Sequence, residues 1–388
     1  MSIFFLNVFI LVLLFYLLQT ILFLIGSKRL NYTKTTAQPK ISILVALRDE
    51  ENSVRACVNS LLKQNYPRDK LEIILVNDRS NDLTAKIIDA FKNKSPLIKT
   101  LHLRQHLHGL SGKASAVAQG VEHCTGELIL ITDGDCCVPP QWAKTHASYY
   151  TKDVGMVGGF TLLDDKNDDT SFFGKIQSLD WAYLLSVGTA AIGLGIPLSI
   201  LGNNFSFRKA AYDAAGGFRN MGFTIIEDFA LMKALLNKTM WQVRYPIHAD
   251  MLVKSLPMPD VQTFFQQRKR WAAGGKEVGM YGKCLMLIST VTHILLPVSF
   301  FYFDEKTIPI VASALIFLSD FLFLRRTTGK VNRRDLLNFF FPWEFFYFFY
   351  TIFFTPVLLL PTTVTWKGIS YEWKFNWQLK RMFVKTTT

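Results

Sequence analysis

The apolar positions of this chain gather at its two ends, and the polar positions fill the middle. Ile3 to Ile25 carries no charged side chain, a run long enough to cross roughly 30 Å of hydrocarbon as one helix. Lys28 and Arg29 follow. The run lacks the charged start, short core and small-residue cleavage site of a signal peptide, so residues 1–27 read as an uncleaved span. Two further apolar runs, Cys284–Phe303 and Ile308–Leu324, are joined by Asp304-Glu305-Lys306 and predict a hairpin of spans. The loop behind them carries Arg325, Arg326, Lys330, Arg333 and Arg334, the kind of charge that holds a short loop in the cytosol. The last apolar stretch, Asn338–Trp366, is interrupted by Pro342, Glu344, Pro356 and Pro361. It is too short for two crossings and predicts either a third span or a re-entrant or interfacial element. A membrane region over 283–366 and a basic tail over 367–388 follow from this reading.

Between the ends, residues 38–282 form the polar part, and its first half alternates strand-like and helix-like patterns. Strands are expected at Ile41–Leu47, Leu71–Val76, Ile98–Leu103 and Glu127–Thr132, and helices at Glu50–Gln64, Asp82–Lys92 and Lys113–Cys124. That order predicts an α/β domain, a mostly parallel sheet with helices on both faces. Ligands bind such sheets at the carboxyl ends of the strands. The uncharged run Ala182–Leu201 is broken by Gly188, Gly193, Gly195 and Pro197. A crossing there would put a bilayer between Asp133 and Glu227-Asp228, so it reads as a buried or interface-lying segment.

The net charge of +13 changes this picture little. Much of the basic excess borders the predicted spans, where anionic lipid head groups complement it, and no nucleic-acid partner is needed to explain it. The five cysteines, Cys57, Cys124, Cys136, Cys137 and Cys284, lack metal-finger spacing and read as reduced thiols.

Candidate chemistry sits at the strand ends. Asp133-Gly134-Asp135 sets two carboxylates on alternate residues, hard oxygen ligands suited to Mg²⁺ or Mn²⁺ and, through the metal, to a diphosphate. A solvated acidic turn would look the same in isolation; the position after a strand gives the triplet its weight. Asp78, after another strand, can accept from a nucleobase N–H or a ribose hydroxyl, while Asn81 or Asp82 caps the next helix. Gly112-Lys113-Ala114 opens a helix whose backbone N–H groups and lysine suit phosphate. Glu227-Asp228 follows Gly216-Gly217-Phe218 and offers a general base. Gln267-Arg268-Lys269-Arg270-Trp271 stands just before the membrane hairpin, its arginines suited to a departing diphosphate and Trp271 to a sugar or the membrane interface.

Taken in order, these residues resemble the membrane-bound, inverting family 2 glycosyltransferases, the group of cellulose, hyaluronan and poly-N-acetylglucosamine synthases and of ceramide glucosyltransferase. The resemblance runs from Ile41 to Trp271, through Arg48-Asp49-Glu50-Glu51, Asp78, Gly112-Lys113-Ala114, Asp133-x-Asp135, Gly202-Asn203-Asn204, Glu227-Asp228 and Gln267-x-x-Arg270-Trp271. It implies a GT-A-type, Rossmann-like nucleotide-diphospho-sugar transferase domain on the cytosolic side of the membrane helices, in a bacterial inner membrane. It further implies that Asp78, Lys113, Asp133 and Arg270 bind a UDP-sugar and that Asp135, with Asp133, holds Mg²⁺ or Mn²⁺. Asp228, beside Glu227, would be the catalytic base. Gln267, Trp271 and Asn203 would close over the diphosphate and the acceptor. The product would be a β-glycoside on a lipid, a lipid-linked glycan or a growing polysaccharide. Ile226 stands where the family often has Thr, and Arg48-Asp49-Glu50 where it often has Asn-Glu. Two other readings share part of the pattern: a polyprenyl-phosphate sugar synthase, whose members typically lack the Gln-x-x-Arg-Trp element, and a non-catalytic membrane sugar-binding scaffold.

Overall fold

The structure is a computed structural model; it describes residues 3–110, 112–164, 170–221, 226–275, 278–359, 363–366, 369–373 and 379–381. Helix α1 (Ile3–Lys28) precedes a sheet domain. The first half of that domain runs β1 (Ile41–Leu47), α2 (Val54–Leu62), β2 (Leu71–Asn77), α3 (Thr84–Lys92), β3 (Ile98–His102), α4 (Gly112–Glu122) and β4 (Leu128–Asp133). The second half runs α5 (Trp142–Ser148), β5 (Val154–Gly158), β6 (Thr161–Leu163), α6 (Phe172–Gly193), β7 (Asn204–Arg208), α7 (Lys209–Ala214), α8 (Glu227–Lys238), β8 (Gln242–Arg244), β9 (Val253–Ser255) and α9 (Val261–Gly275). Three long helices follow, α10 (Met280–Tyr302), α11 (Thr307–Lys330) and α12 (Phe340–Leu359), and then strands β10 (Thr363–Trp366), β11 (Ile369–Trp373) and β12 (Leu379–Arg381).

Seven strands form one sheet in the order β3-β2-β1-β4-β7-β5-β8. Its central strands are apolar at nearly every position because both faces are covered. Ile41, Ile43, Ile73, Leu75, Leu128 and Leu130 pack with α2 and α5 on one face. Leu44, Ile74, Val76, Ile129 and Ile131 pack with α4 and α8 on the other. β1, β2, β3 and β4 are parallel, and β7 runs against β4 and β5. That reversal shapes the site. Because β7 is antiparallel, its first residue, Asn204, pairs with Thr132 near the carboxyl end of β4, so the loop before it arrives at the ligand-binding rim.

Helix α2 begins at Val54, not Glu50, because the Glu50 and Glu51 N–H groups donate to Thr84 Oγ1 (2.8 Å) and Asp82 Oδ2 (2.9 Å). Asp82 also accepts from the Thr84 N–H (2.9 Å), which leaves Asp78 free of the capping task.

Among the described residues four helical segments are long and apolar enough to cross a membrane: Ile3–Lys28, Met280–Tyr302, Thr307–Lys330 and Arg334–Phe354. They present Leu11, Leu14, Leu18, Leu287, Ile310, Leu318, Phe345 and Phe349 outward, a surface matched to lipid. Polar pins join them inside: Tyr16 of α1 donates to Asp320 Oδ2 of α11 (2.7 Å), and Ser289 of α10 meets the Tyr347 hydroxyl of α12 (3.2 Å). Such bonds set the rotation of otherwise smooth helices. Of the uncharged run Ala182–Leu201, residues 182–193 form the second half of α6, buried along most of its length against α1, α11 and α12, and residues 194–201 continue as a loop.

The C-terminal expectations need correction. The first helix of the hairpin starts at Met280, within the residues assigned to the sheet domain. The last apolar stretch is helical only to Leu359; Thr363–Trp366 is a strand, and the tail expected to be simply basic contributes β11 and β12 to the same small sheet. Helix α12 packs along α9, with Phe346 and Tyr350 against Phe264 and with Phe354 against Phe265, and β10 then lies beside α9 as well.

Domain and membrane helices meet at a glycine crossing. A Cβ on Gly193 of α6 would stand 2.1 Å from the carbonyl oxygen of Gly26 on α1, and one on Gly26 would stand 2.1 Å from the Ala190 oxygen. Only glycine permits that approach. Replacing Gly193 by Leu is expected to destabilise the protein by about 1–3 kcal/mol through overpacking, read as a lower thermal midpoint in detergent, whereas Gly279→Ala, at an ordinary backbone conformation with no neighbour in reach, is expected to move that midpoint far less.

Candidate active site

The parallel register brings the ends of β1, β2 and β4 level: Leu47 pairs with Asn77, and Ala46 pairs with Asp133. Everything the strands carry beyond those residues projects from one rim.

Lys113 stands at the centre. It lies in the first turn of α4, entered through Gly112 at φ +55°. Its Nζ is 2.6 Å from Asp133 Oδ1 and 3.1 Å from Glu227 Oε1, and it donates to the Gly202 carbonyl (2.8 Å). Burial works against the ammonium charge, but Asp133 and Glu227 outweigh it and hold the group protonated well above its ordinary range. One cation thus ties together β4, α4, α8 and the loop before β7.

Asp228 is buried beside Glu227 in the first turn of α8, and its Oδ1 accepts from the Phe229 N–H (2.7 Å). Burial, and then the Glu227 charge, push its carboxyl up to about 7, with Lys113 pulling the other way. A carboxylate tuned to that range is suited to take a proton at neutral pH. Gly202 makes room for it: a Cβ there would lie 2.8 Å from Asp228 Oδ2.

Asp135 sits one residue beyond the turn. Its Oδ2 accepts from Ser255 Oγ of β9 (3.1 Å). Burial, followed by the Asp133 and Glu50 charges, raises its carboxyl above the ordinary range. Gly134 allows Glu50 this close, since a Cβ would lie 3.1 Å from Glu50 Cγ. The pair fits a hard divalent cation, because two aspartates with Glu50 alongside leave negative charge that Lys113, already shared with Glu227, does not fully balance. Among the described residues no three His, Cys, Asp or Glu side chains form a ready metal cage.

Asp78 anchors a second group on the rim. It is buried, with Arg79 at 2.9 Å, His106 Nε2 at 3.8 Å and Arg48 Nη1 at 4.0 Å, while Arg79 and His106 also meet each other. Arg79 has φ +56° and Asp49 φ +52°, left-handed conformations that non-glycine residues adopt at a cost and that cluster at functional sites. The turn folds Arg79 back over Asp78.

Asn203 Oδ1 accepts from Thr161 Oγ1 (2.9 Å). The neighbouring Asn204 locks the loop: its Oδ1 accepts from Trp142 Nε1 (2.9 Å), and its Nδ2 donates to the Phe160 and Met251 carbonyls (2.8 Å each). Gln267, Arg270 and Trp271 lie on α9. There Trp271 packs on Trp181 of α6 (centroids 4.3 Å apart) and under the Arg268 guanidinium (4.2 Å), which is itself buried against Asp180 (2.5 Å).

Residues 42–213 match the family described as glycosyl transferase family 2, and residues 128–366, more than half of the chain, match glycosyl transferase family group 2. The chain belongs to glycosyltransferase family 2. The family members most like it include a probable glycosyltransferase, YdaM, of Bacillus subtilis, 27% identical over 248 residues, with 62% of this chain and 56% of the relative covered. A poly-β-1,6-N-acetyl-D-glucosamine synthase of Staphylococcus epidermidis is 29% identical over 241 residues (61% and 55%). A β-monoglucosyldiacylglycerol synthase of Synechocystis is 25% identical over 248 residues (62% and 49%). The chain spans about half the length of these relatives. Among solved structures, a mannosyltransferase of Pyrobaculum calidifontis, solved with GDP-Man and Mn²⁺, superposes with a TM-score of 0.54 at 16% identity, covering 85% of this chain and 96% of its own. The GT-A fold expected of the family is the fold observed.

Within this family 2 site the structure joins Lys113, Asp133, Glu227 and Asp228, sets Asp135 beside them on Ser255, and keeps Asp78 in its own group. Sequence reasoning did not single out Arg79, His106 or Ser255, and it quoted Asn204 only within the Gly202-Asn203-Asn204 run without a role. Only the polar Asn77–Asp82 run hinted at Arg79. A Lys113→Gln substitution is expected to lower turnover about a hundredfold or more by removing the ammonium shared by Asp133 and Glu227. Because Lys113 holds the Asp228 carboxyl down, its removal should also shift the acid limb of the pH–rate profile to higher pH, which a loss of folding would not do.

Proposed function

We propose that the chain is an inverting glycosyltransferase that moves a hexose or N-acetylhexosamine from a UDP-sugar to a hydroxyl at the membrane surface, forming a β-glycoside. The observation that supports this most directly is Asp228, a buried carboxylate with its proton affinity raised to about 7, beside the Lys113–Asp133 pair. Asp228 accepts the acceptor's hydroxyl proton. The freed oxygen pair forms the bond to C1 as the C1–oxygen bond to the diphosphate breaks, and its electrons leave with UDP. Attack opposite the leaving group inverts the anomeric carbon. Lys113 and Arg270 meet the charge growing on the leaving diphosphate, where preformed cations act at no reorganisation cost.

Asp135 and Asp133 are the residues that would hold Mg²⁺ or Mn²⁺, which would supply further neutralisation of the diphosphate. Asp78, oriented by Arg79, Arg48 and His106, is assigned to the nucleobase. Gln267, Trp271 and Asn203 are assigned to closure over the diphosphate and acceptor.

The acceptor is proposed to be a lipid or lipid-linked hydroxyl. Among the described residues four helical segments can cross a membrane, few with which to line a polymer pore, and α9, which carries Gln267, Arg270 and Trp271, packs on α6 and α12 where the domain meets the apolar helices. The relatives alone do not choose, since one is named for a polysaccharide and another for a glycolipid. The sheet domain is taken to face the cytosol of a bacterial inner membrane, with Lys28, Arg29 and the basic 325–334 loop on that side.

Purified protein in lipid nanodiscs, given labelled UDP-sugars and GDP-mannose in turn, is expected to make a labelled lipid-extractable product from a UDP-sugar and to lose it with a metal chelator. Label appearing solely in the aqueous high-mass fraction would assign a polymer acceptor, and turnover with GDP-mannose alone would reassign the base. With the productive donor, kcat/KM should fall about tenfold per pH unit below about 7, as Asp228 protonates. Asp228→Asn should abolish UDP release; undiminished release would remove Asp228 from the role of base.

A further inference from the structure

The loop end of α11 holds a group of cations that the sugar-transfer chemistry does not use. A cavity of about 420 Å³ is lined by Leu322, Arg325, Arg326, Gly329, Lys330 and Arg334. It is an open hollow on the surface of the helices rather than an enclosed pocket.

Two of these cations are fixed to the end of α1. Arg326 donates through Nε to Ser27 Oγ (2.6 Å) and through Nη2 to the Ser27 carbonyl (3.4 Å), which also accepts from Lys330 Nζ (3.3 Å). The cavity therefore lies where the carboxyl-terminal ends of two apolar helices meet. Helix ends of that polarity each supply about half a negative charge, which offsets about one of four cations. Among the described residues none of the four has a carboxylate in ion-pairing range. Their neighbour Arg333 shows the contrast, being bound to Asp164 (2.5 Å) and Asp335 (2.9 Å). Gly329 keeps the mouth open for Arg334, whose Nε would lie 3.2 Å from a Cβ at that position.

The missing charge is an anion's, and the surroundings indicate its source. One turn deeper along α11, Leu322 and Leu318 face outward, 41% and 53% exposed, and continue the cavity as an apolar stripe at helical spacing. A free phosphate has no use for that stripe; an acyl chain does.

We infer that this cavity binds the phosphate of an anionic phospholipid, with a fatty-acyl chain lying along Leu322 and Leu318. The inference rests on α11 crossing the membrane, as the proposed function does, but it is read by binding alone and stands or falls independently of sugar transfer.

The test is native mass spectrometry of the full chain released from detergent, with phosphatidylglycerol and phosphatidylcholine of matched acyl chains added in parallel. The expected result is selective retention of phosphatidylglycerol. Retention should weaken about tenfold or more in Arg325→Gln/Arg334→Gln, since each cation near a membrane surface adds appreciably to anionic-lipid binding, and should not weaken in the control Arg55→Gln/Lys92→Gln. Among the described residues neither Arg325 nor Arg334 makes a side-chain bond that holds the helices together, and a matching thermal midpoint would confirm the fold; should the double variant unfold, Arg325→Gln alone gives the same readout. Equal retention of the two lipids, or unchanged retention in the variant, overturns the inference. So does displacement of phosphatidylglycerol by sn-glycerol 3-phosphate or inorganic phosphate at comparable concentration, which would assign the cavity to a soluble anion.

Discussion

The convergence of Lys113 on Asp133, Glu227 and the Gly202 carbonyl is the contact on which the site depends. Asp133, Asp135, Glu227 and Asp228 come from two distant segments and share a small, partly dry volume. Like charges about 4 Å apart repel by about 4 kcal/mol at the effective dielectric of such places, so carboxylates gathered without a cation would protonate or separate. Lys113 lets them stay. Asp133 and Glu227 pair with it directly, while Asp228, desolvated and beside the Glu227 charge, keeps a proton affinity suited to exchange near neutral pH.

The scaffold serves that contact by simple means. Parallel strands bring Asp78 and Asp133 to one rim because their registers agree. The single reversed strand, β7, delivers Gly202 to the same rim from the other chain direction, and Asn204 fixes it there with buried hydrogen bonds to Trp142, His146, Phe160 and Met251. Glycine then appears where backbone and carboxylate must approach, at Gly202 against Asp228 and at Gly134 against Glu50.

The coupling of domain to apolar helices follows the same logic of close approach plus a few buried charges. Gly26 and Gly193 bring α1 and α6 into backbone contact. Arg268 is enclosed by Asp180, Trp181, Phe264 and Trp271, which joins α9 to α6. Arg333 reaches Asp164, and Lys254, which also pairs with Asp164 (3.2 Å), precedes Ser255 on Asp135. The Asp164 carboxyl, though partly desolvated, is held down to about 2 by Thr170, Arg333 and Lys254. The anchoring of the membrane loop therefore persists above the ordinary aspartate range and weakens only as pH falls toward 2.

The sequence by itself determined the elements whose cause is local. Apolar runs at the ends, continuous apolar strands in the first half of the domain, and acids placed directly after β2 and β4 are all readable from neighbours, because side-chain period and strand-end position are short-range properties. Asp78, Asp133, Asp135 and Lys113 were legible for that reason, and the order of short motifs added Asp228 and Gln267–Trp271. Tertiary structure alone decided which of these meet. Nothing near Lys113 in the chain announces Glu227 or Gly202, nothing near Asp78 announces His106, and nothing near Asp135 announces Ser255. The same holds for α12: its composition allows a crossing, but the aromatic faces of α9 and the placement of β10 beside α9 decide how it lies. These outcomes depend on which surfaces bury each other at long sequence separation, and a one-dimensional pattern records the need for a partner without naming it.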